Sequence, residues 1–429
     1  MQPKIVKFSN GLNLILHPMS SVQSVAVYVA VGAGPRYETK ETAGLAHFLE
    51  HMLFEGTKRF PTARQISEYI ECVGGTGSAW TDKESVTYYA KVPKQHLELA
   101  FDYLFDILFN SLLNGNEIEK EKRLIIEELN RSKDNPQDAT WDPWLELVFG
   151  KNQSLGRSTL GDKRTILNIS KQKLQAYLER FYHPANMVIA VVGNFSIKHA
   201  KSYTIKYFGK MQKKEVVKFK NAKFIPKKIH TQIFNVNTKQ CQLVLGFFTG
   251  ISAKHKDRFS MRVIVDILSS GVSSRIFHKL VYDEGIAYSV GAQSWVFSDT
   301  GIFYVFGGFA KENVEKAIIL ILSELNKLKI EKISDKEVAA AKEKDKASFY
   351  FSLETPDAIA SYYASSQLLD KKIMTAEDVS EKIDNVTAED IQRTARKYFV
   401  TKNLLLAIRG PFDENNLSRI EDICINRLK

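Results

Sequence analysis

An internal duplication is the feature of this 429-residue chain that most limits its fold. Residues 169–195 align without a gap with residues 386–412, at a constant shift of 217 positions. The matching pairs are Leu174 with Ile391, Gln175 with Gln392, Phe181 with Tyr398, Asn186 with Asn403, Ala190 with Ala407 and Gly193 with Gly410. Each copy has the pattern of a helix leading into an apolar strand that ends at a glycine. The chain is therefore predicted to consist of two homologous halves.

Length and periodicity predict an α+β protein with two domains. The chain is too long for one ordinary core and suits two domains of about 200 residues each. Residues 209–223 are basic and lack periodicity, so a linker is predicted at 208–229, between domains at 1–207 and 230–429. In the first half, strands are predicted near 12–16, 25–31 and 88–92, and helices near 42–55, 64–73, 94–112 and 115–133.

The first half contains a metal-binding pattern. His47, Glu50 and His51 follow the order His-x-x-Glu-His, and on a helix this spacing places the three side chains on one face. The order is the inverted form of a zinc motif in which the histidines bind the metal and the glutamate acts on water. The shift of 217 positions places hydrocarbon at the corresponding sites, namely Ile264, Ile267 and Leu268. Only the first half can therefore form such a site.

A third ligand is needed, because a catalytic zinc ion usually takes three protein ligands. Residues 117–129 are predicted to form a helix, with a buried side marked by Ile118, Leu124, Ile125 and Leu129. Glu121 and Glu128 fall close to that stripe, where a carboxylate is costly unless a cation compensates its charge. Glu128 is therefore the predicted ligand and Glu121 an orienting group, whereas Glu127 is assigned to the solvated surface. The alternative interpretation is that His47 and His51 are ordinary helix histidines and Glu128 is a surface charge. Taken together, the three residues favour the metal site.

These residues resemble the peptidase family of pitrilysin, insulysin and the mitochondrial processing peptidase. Family members pair His-x-x-Glu-His with a glutamate on a later helix and with another glutamate seven residues before it. Here Glu128 lies 77 residues after His51, and Glu121 occupies the earlier position. Segments 32–38, 54–59 and 74–81 follow the family pattern in the same order. The resemblance extends over essentially the whole chain.

The resemblance implies a fold and an activity. Each half would form a mixed β-sheet with helices packed mainly on one face, and the halves would enclose a chamber. The activity would be that of a zinc metalloendopeptidase, with one Zn²⁺ per chain and Glu50 as the general base toward water. The implied metal ligands are His47, His51 and Glu128, and the implied catalytic residues are Glu50, Glu121 and Tyr288.

Residues 74–81 indicate how a peptide would bind. They resemble the family segment Gly-Gly-x-x-Asn-Ala-x-Thr, in which a sheet edge pairs with the substrate backbone. The expected substrate-binding residues are thus Ser78, Ala79, Trp80 and Thr81. Ser78 replaces the usual asparagine, and backbone pairing does not depend on that side chain. Such pairing selects extended or unfolded peptides and reads little of their sequence.

One departure from the family pattern concerns quaternary structure. Active members often have an arginine and a tyrosine seven residues apart in the second half. Here Tyr288 is present, and Val281 occupies the arginine position. Some members divide the work between two similar chains, so this chain is expected to be the zinc-bearing subunit of a heterodimer whose partner supplies the arginine. A homodimer is the alternative, and Arg275 is an alternative source of the missing charge.

Other classes of protein fit the sequence less well. The formal charge of +11 permits nucleic-acid binding, but the lysines are scattered and no nucleic-acid module is present. A non-catalytic scaffold or peptide-binding subunit of the same fold is a second alternative, and the intact ligand set argues against it. No apolar run is long enough to span a membrane. Cys72, Cys241 and Cys424 are too few for a disulfide framework, so a soluble protein of the reducing cytoplasm is expected.

Overall fold

The structure is a computed structural model that describes residues 2–225, 229–412 and 414–428. In chain order its strands and helices are β1 (Lys4–Lys7), β2 (Asn13–Pro18), β3 (Ser24–Val31), α1 (Leu45–Met52), α2 (Ala63–Glu71), β4 (Thr76–Thr81), β5 (Val86–Pro93), α3 (Leu97–Phe109), α4 (Gly115–Asp134), α5 (Asp138–Phe149), α6 (Lys163–Leu167), α7 (Lys171–Phe181), β6 (Met187–Gly193) and α8 (Ile197–Phe208). They continue with β7 (His230–Asn235), β8 (Gln240–Phe248), α9 (Arg258–Ser269), α10 (Arg275–Phe277), β9 (Ala287–Val296), β10 (Gly301–Ala310), α11 (Val314–Ile330), α12 (Asp335–Phe351), α13 (Pro356–Leu369), α14 (Ala376–Asp384), α15 (Ala388–Tyr398), β11 (Leu404–Gly410) and α16 (Glu414–Arg427).

The elements form two compact units, each of which includes one segment from the other half of the sequence. The first unit comprises the chain up to residue 131 together with 157–220 and 351–375. The second comprises 132–156, 221–350 and the chain from residue 376. The predicted domains, 1–207 and 230–429, placed α5 in the first domain and α13 in the second. In the structure, α5 belongs to the second unit and α13 to the first.

The first unit is built on a six-stranded sheet in the order β1-β2-β6-β3-β5-β4. β2 is parallel to β6, whereas β3 is antiparallel to both β6 and β5. Successive residues of β3 point to opposite faces. Val25 and Val27 join the large core that contains α1, α3 and α4, and Ala26 and Tyr28 join a smaller core with α13. Helices therefore cover mainly one face of this sheet.

The second unit repeats this layout. Its five-stranded sheet has the order β7-β11-β8-β10-β9, which matches β2-β6-β3-β5-β4 when the sequence is shifted by 217 positions. The same shift places α7 on α15 and β6 on β11 at both ends of each element. The prediction of an α+β protein with two homologous domains is confirmed.

The remaining face of each sheet is covered by the exchanged helix. On the first sheet, Ala360 and Ala364 of α13 are fully buried in one cluster with Ala26, and these small side chains allow a close approach. On the second sheet, Trp144 of α5 packs over Gly246, where a Cβ would lie 2.5 Å from the indole. Each half of the sequence thus contributes one helix to the unit built mainly from the other half. The two helices, α5 and α13, occupy equivalent positions when the sequence is shifted by 217 residues. Amphipathic periodicity predicts that a helix buries one face, and it does not specify which of two similar sheets receives that face.

Two sequence predictions concern segments outside the sheets. Between α8 and residue 225 the chain forms no helix or strand, and residues 226–228 of the predicted linker lie outside the described residues. Across the described ranges, no helix is both long and apolar enough to cross a membrane.

The first prediction concerns the packing of the edge strand β4. A Cβ at Gly77 would lie 2.6–2.8 Å from the hydroxyl and ring of Tyr103, which is buried. We expect Gly77→Ala to lower the free energy of unfolding by about 1–3 kcal/mol, because overpacking displaces that ring. Chemical denaturation measures the change. Ser78→Ala, at an exposed position of the same strand, should change it by less than about 0.5 kcal/mol, and equal stability of the two variants would contradict the packing.

Candidate functional site

Helix α1 presents the predicted motif on one face. Phe48, Leu49 and Met52 are buried in the core of the first unit and fix the rotation of the helix about its axis. His47, Glu50 and His51 lie on the neighbouring face, with His47 buried and the other two half-buried. The helical repeat of 3.6 residues thus separates the packing face from the chemical face.

Helix α4 packs with a narrower apolar stripe than the sequence predicts. Ile118, Ile125 and Leu129 are buried, but Leu124 is 51% exposed. The prediction for Leu124 was wrong because a residue six positions after Ile118 is rotated by about 240° from it. Glu121 lies three positions after Ile118, within the stripe, and is only 3% exposed.

The three predicted ligands lie close together. His47, His51 and Glu128 can each offer one ligand atom such that these atoms lie within 4.8 Å of one another. The Nε2 of His47 is 3.8 Å from the Oε2 of Glu128. That separation exceeds a hydrogen bond and is comparable to the roughly 3.3 Å between two ligand atoms of a tetrahedral zinc ion. Glu128 is half-buried, whereas Glu127 is exposed, as predicted.

A hydrogen bond between α1 and α4 orients one imidazole. The Nδ1 of His51 lies 3.2 Å from the Oε2 of Glu121. Because this contact uses Nδ1, the other ring nitrogen of His51 is the one that can bind a metal. Two imidazole nitrogens and one carboxylate form a donor set that fits zinc, with the Glu121 contact as its supporting interaction.

The local electrostatics keep His47 neutral and surround His51 with carboxylates. Burial, assisted by the charge of His51, lowers the pKa of His47 to about 3, so its ring is neutral at neutral pH. Burial also acts to lower the pKa of His51, but the hydrogen bond to Glu121 and the charges of Glu121, Glu50 and Glu128 raise it overall. The carboxylates that raise this pKa would equally stabilise a bound cation.

Strand β4 contacts the motif through Thr81. The hydroxyl of Thr81 donates a hydrogen bond to the Oε2 of Glu50. Burial raises the pKa of Glu50, and the Thr81 hydrogen bond and the charge of His51 oppose that rise. A raised carboxyl pKa suits a general base, because the base works best near the operating pH.

The other predicted substrate-binding residues lie on the same strand. β4 ends the strand order of its sheet and pairs antiparallel with β5. Ser78 is exposed, and Ala79 and Trp80 are half-buried. An edge strand presents backbone groups to which a further strand can add.

The predicted residues of the second half lie in the second unit. Tyr288 is 93% exposed near the start of β9, which is also an edge strand. Val281 is half-buried in a π-helical turn, His278–Asp283, a conformation that is frequent at functional sites. Arg275 makes two hydrogen bonds of 2.6 Å to the carboxylate of Glu337 and is therefore already engaged.

Sequence reasoning missed one residue at the motif. The carboxylate of Glu38 accepts hydrogen bonds from the backbone N–H groups of Gly44 and Ala46, at the start of α1. Burial raises the pKa of Glu38 to about 7, against the effect of these two hydrogen bonds. Glu38 ends segment 32–38, which follows the family pattern, but nothing in the sequence signals that its carboxylate bonds to the start of α1.

Comparisons with known proteins identify the family. The model described as Insulinase (Peptidase family M16) matches residues 14–163, and that of the Peptidase M16 inactive domain matches residues 168–344. A Bacillus subtilis protein named uncharacterized zinc protease YmxG is 34% identical over 408 residues, covering 94% of this chain and 97% of that protein. The chain belongs to peptidase family M16. A further relative, an uncharacterized zinc protease from Rickettsia felis, is 31% identical over 95% of this chain and 98% of its own length.

Solved structures of two bacterial proteins share the fold. A protease from Helicobacter pylori has a TM-score of 0.87 at 21% identity, covering 96% of this chain and 99% of that one. A peptidase M16 inactive domain protein from Pseudomonas fluorescens has a TM-score of 0.88 at 16% identity, with the same coverage. The family resemblance predicted from the motifs is confirmed, and both relatives named above are called zinc proteases.

The second prediction separates the two neighbouring glutamates of α4. We expect Glu128→Gln to weaken zinc retention by about tenfold or more, because a charged ligand becomes neutral. Glu127→Gln is the matched control, since its side chain is exposed one position away, and it should leave zinc retention unchanged. Dialysis followed by metal analysis measures both. The reverse pattern would show that Glu127 is the ligand.

Proposed function

We propose that this M16 chain is a zinc metalloendopeptidase that cleaves extended or unfolded peptides. The observation that supports this most is the proximity of His47, His51 and Glu128, from helices far apart in sequence, on the face of α1 that also presents Glu50. A bound cation would compensate the charge of the half-buried Glu128 carboxylate and give both imidazoles a partner. The cysteines are unpaired, which suits a reducing compartment such as the cytoplasm.

The three ligands would bind one Zn²⁺ per chain. When bound, zinc polarises a peptide carbonyl and lowers the pKa of water from about 15.7 to about 7. Glu121 keeps the His51 ring in one orientation through its contact with Nδ1. A preset ring orientation lowers the cost of bringing the ligands together when metal binds.

Glu50 is the proposed general base. Its carboxylate takes a proton from the water that attacks the scissile carbonyl and then delivers it to the leaving amine. Thr81 donates a hydrogen bond to Oε2 of this carboxylate, so the proposed proton transfer uses Oε1. Partial burial keeps the proton affinity of the group high enough for this task.

The edge of β4 is the proposed peptide-binding strand. A peptide that adds to this edge through backbone hydrogen bonds must be extended, so folded proteins are excluded from cleavage. Thr81 lies on β4 and also bonds to Glu50. A peptide paired along Ser78–Thr81 would therefore run past the catalytic base.

The proposed enzyme is the zinc-bearing subunit of a heterodimer. Val281 cannot donate a hydrogen bond to a developing oxyanion, and Arg275 is occupied by Glu337. Loss of one such donor costs about a hundredfold or more in rate. A homologous partner chain that has the arginine but lacks the zinc ligands would supply the missing hydrogen-bond donor. A homodimer is the alternative assembly.

The third prediction tests the chemistry. Glu50→Gln should reduce cleavage of an unfolded peptide by about 10²–10⁴-fold while the protein retains about one zinc per chain, because the base is lost and the ligands remain. Peptide cleavage and metal content are measured on the same preparation. Wild-type chain should lose activity to a chelator and regain it with zinc. Full activity of Glu50→Gln would refute the mechanism, and absence of cleavage by the wild type in every assembly would favour a non-catalytic scaffold.

The fourth prediction tests the missing arginine. Mixing this chain with a homologous partner should raise cleavage by more than about tenfold, and replacing the partner's arginine with alanine should abolish the increase. In the isolated chain, Val281→Arg should raise the rate, whereas Tyr282→Arg, at an exposed neighbouring position, should not. Full turnover by the wild-type chain diluted to monomer would show that no partner is needed.

A further inference from the structure

Helix α1 lacks a cap of its own. Its first residue follows Gly44, which has a φ of +90° and contributes no side chain. A Cβ at this position would lie 2.6 Å from the carbonyl oxygen of Leu160 and 3.0 Å from the Cα of Gly161. The residues that usually cap helices, Ser, Thr, Asp and Asn, are therefore excluded here. The first N–H groups of the helix need an acceptor from elsewhere.

Glu38 supplies that acceptor from six residues upstream. Its Oε2 accepts the N–H of Gly44 at 2.8 Å, and its Oε1 accepts the N–H of Ala46 at 2.6 Å. In an ordinary capping box, two side chains share these tasks, one bonding to the first turn and the other to the cap residue. Here a single carboxylate performs both.

Glu38 is itself fixed in place. It is only 6% exposed, and its backbone N–H closes a short 3₁₀ turn by bonding to Pro35. Its carbonyl oxygen accepts a hydrogen bond of 2.5 Å from Arg157, and Lys83 donates to the carbonyl of Arg157. The backbone that carries the carboxylate is therefore held by hydrogen bonds on both of its polar groups.

The position of this cap matters because α1 is short. The helix has eight residues, and His47 lies in its first turn, one position after Ala46. A shift of that turn moves His47 relative to His51 and to Glu128 on the other helix. Metal ligands must be placed to within a fraction of an ångström, so a loose first turn raises the cost of binding.

We propose that Glu38 is a positioning residue that presets α1 for zinc, an inference that rests on the proposed metal site. Glu38→Gln keeps the size of the side chain, but it places an amide NH₂ against one of the two backbone donors. That donor is then buried without a partner. In this variant, part of the zinc-binding free energy is used to order the first turn of α1. The apparent zinc affinity then falls in proportion to the fraction of molecules in which that turn is already ordered before zinc binds.

The fifth prediction is a loss of zinc affinity in the full-length, metal-free chain. Competition with a chromogenic chelator should show about tenfold weaker zinc binding for Glu38→Gln, since a tenfold change corresponds to the usual cost of one unsatisfied buried donor. Amide exchange should show faster opening of α1 before metal is added. At saturating zinc, the KM for peptide should match that of the wild type.

Two further variants sharpen the test. Glu41→Gln removes the same charge three residues away at an exposed position and should leave zinc affinity unchanged. Glu38→Asp keeps the carboxylate on a shorter side chain. Its zinc affinity should therefore lie between that of Glu38→Gln and that of the wild type. If Glu38→Gln fails to fold, the zinc affinity of Glu38→Asp tests the positioning role by itself.

The outcomes separate this inference from the proposed function. Unchanged zinc affinity in both Glu38 variants, with only a lower melting temperature, would overturn the positioning role and leave the peptidase proposal intact. Wild-type chain that binds zinc but cleaves nothing, even with a partner, would overturn the peptidase proposal. In that case a weaker affinity of Glu38→Gln would still support the positioning role.

Discussion

The apposition of α1 and α4 is the constraint on which the candidate site depends. Phe48 of one helix and Ile125 of the other belong to the same buried core, so apolar packing sets the distance between their polar faces. The contact between His51 and Glu121 then joins those faces directly. Burying such groups is costly unless each finds a partner. Glu38 at the start of α1 and Thr81 on β4 therefore complete an arrangement that packing alone would disfavour.

The second unit shows the same framework without this chemistry. Its α9 and α12 correspond to α1 and α4 under the shift of 217 positions. The residues equivalent to the motif and to Glu121 are hydrocarbon and buried, namely Ile264, Ile267, Leu268 and Val338. Asp345 stands at the position equivalent to Glu128 and forms an ion pair with Arg262. One copy thus uses the helix pair for polar chemistry, whereas the other uses it for apolar packing.

Local pattern predicted more of the secondary structure than of its packing. The strand predicted near 25–31 is observed at Ser24–Val31, and the helix predicted at 115–133 is observed at Gly115–Asp134. Both have strong periodicity, which depends on neighbouring residues alone. The exposure of Leu124 and the exchange of α5 and α13 were not predicted. Each depends on which surface a helix finally meets, and the two sheets are similar enough that hydrophobicity does not distinguish them.

The sequence by itself determined the two-copy design and the positions of His47, Glu50 and His51 on one helical face, because the geometry of a single helix follows from spacing. It also indicated Glu128, since a carboxylate beside an apolar stripe needs compensation. Only the tertiary structure decided that Glu128 approaches His47, that Thr81 bonds to Glu50 and that Glu38 caps α1. These contacts join segments through the packed core. Their physical cause is the fit of whole elements against one another, which leaves no repeating signature in the chain.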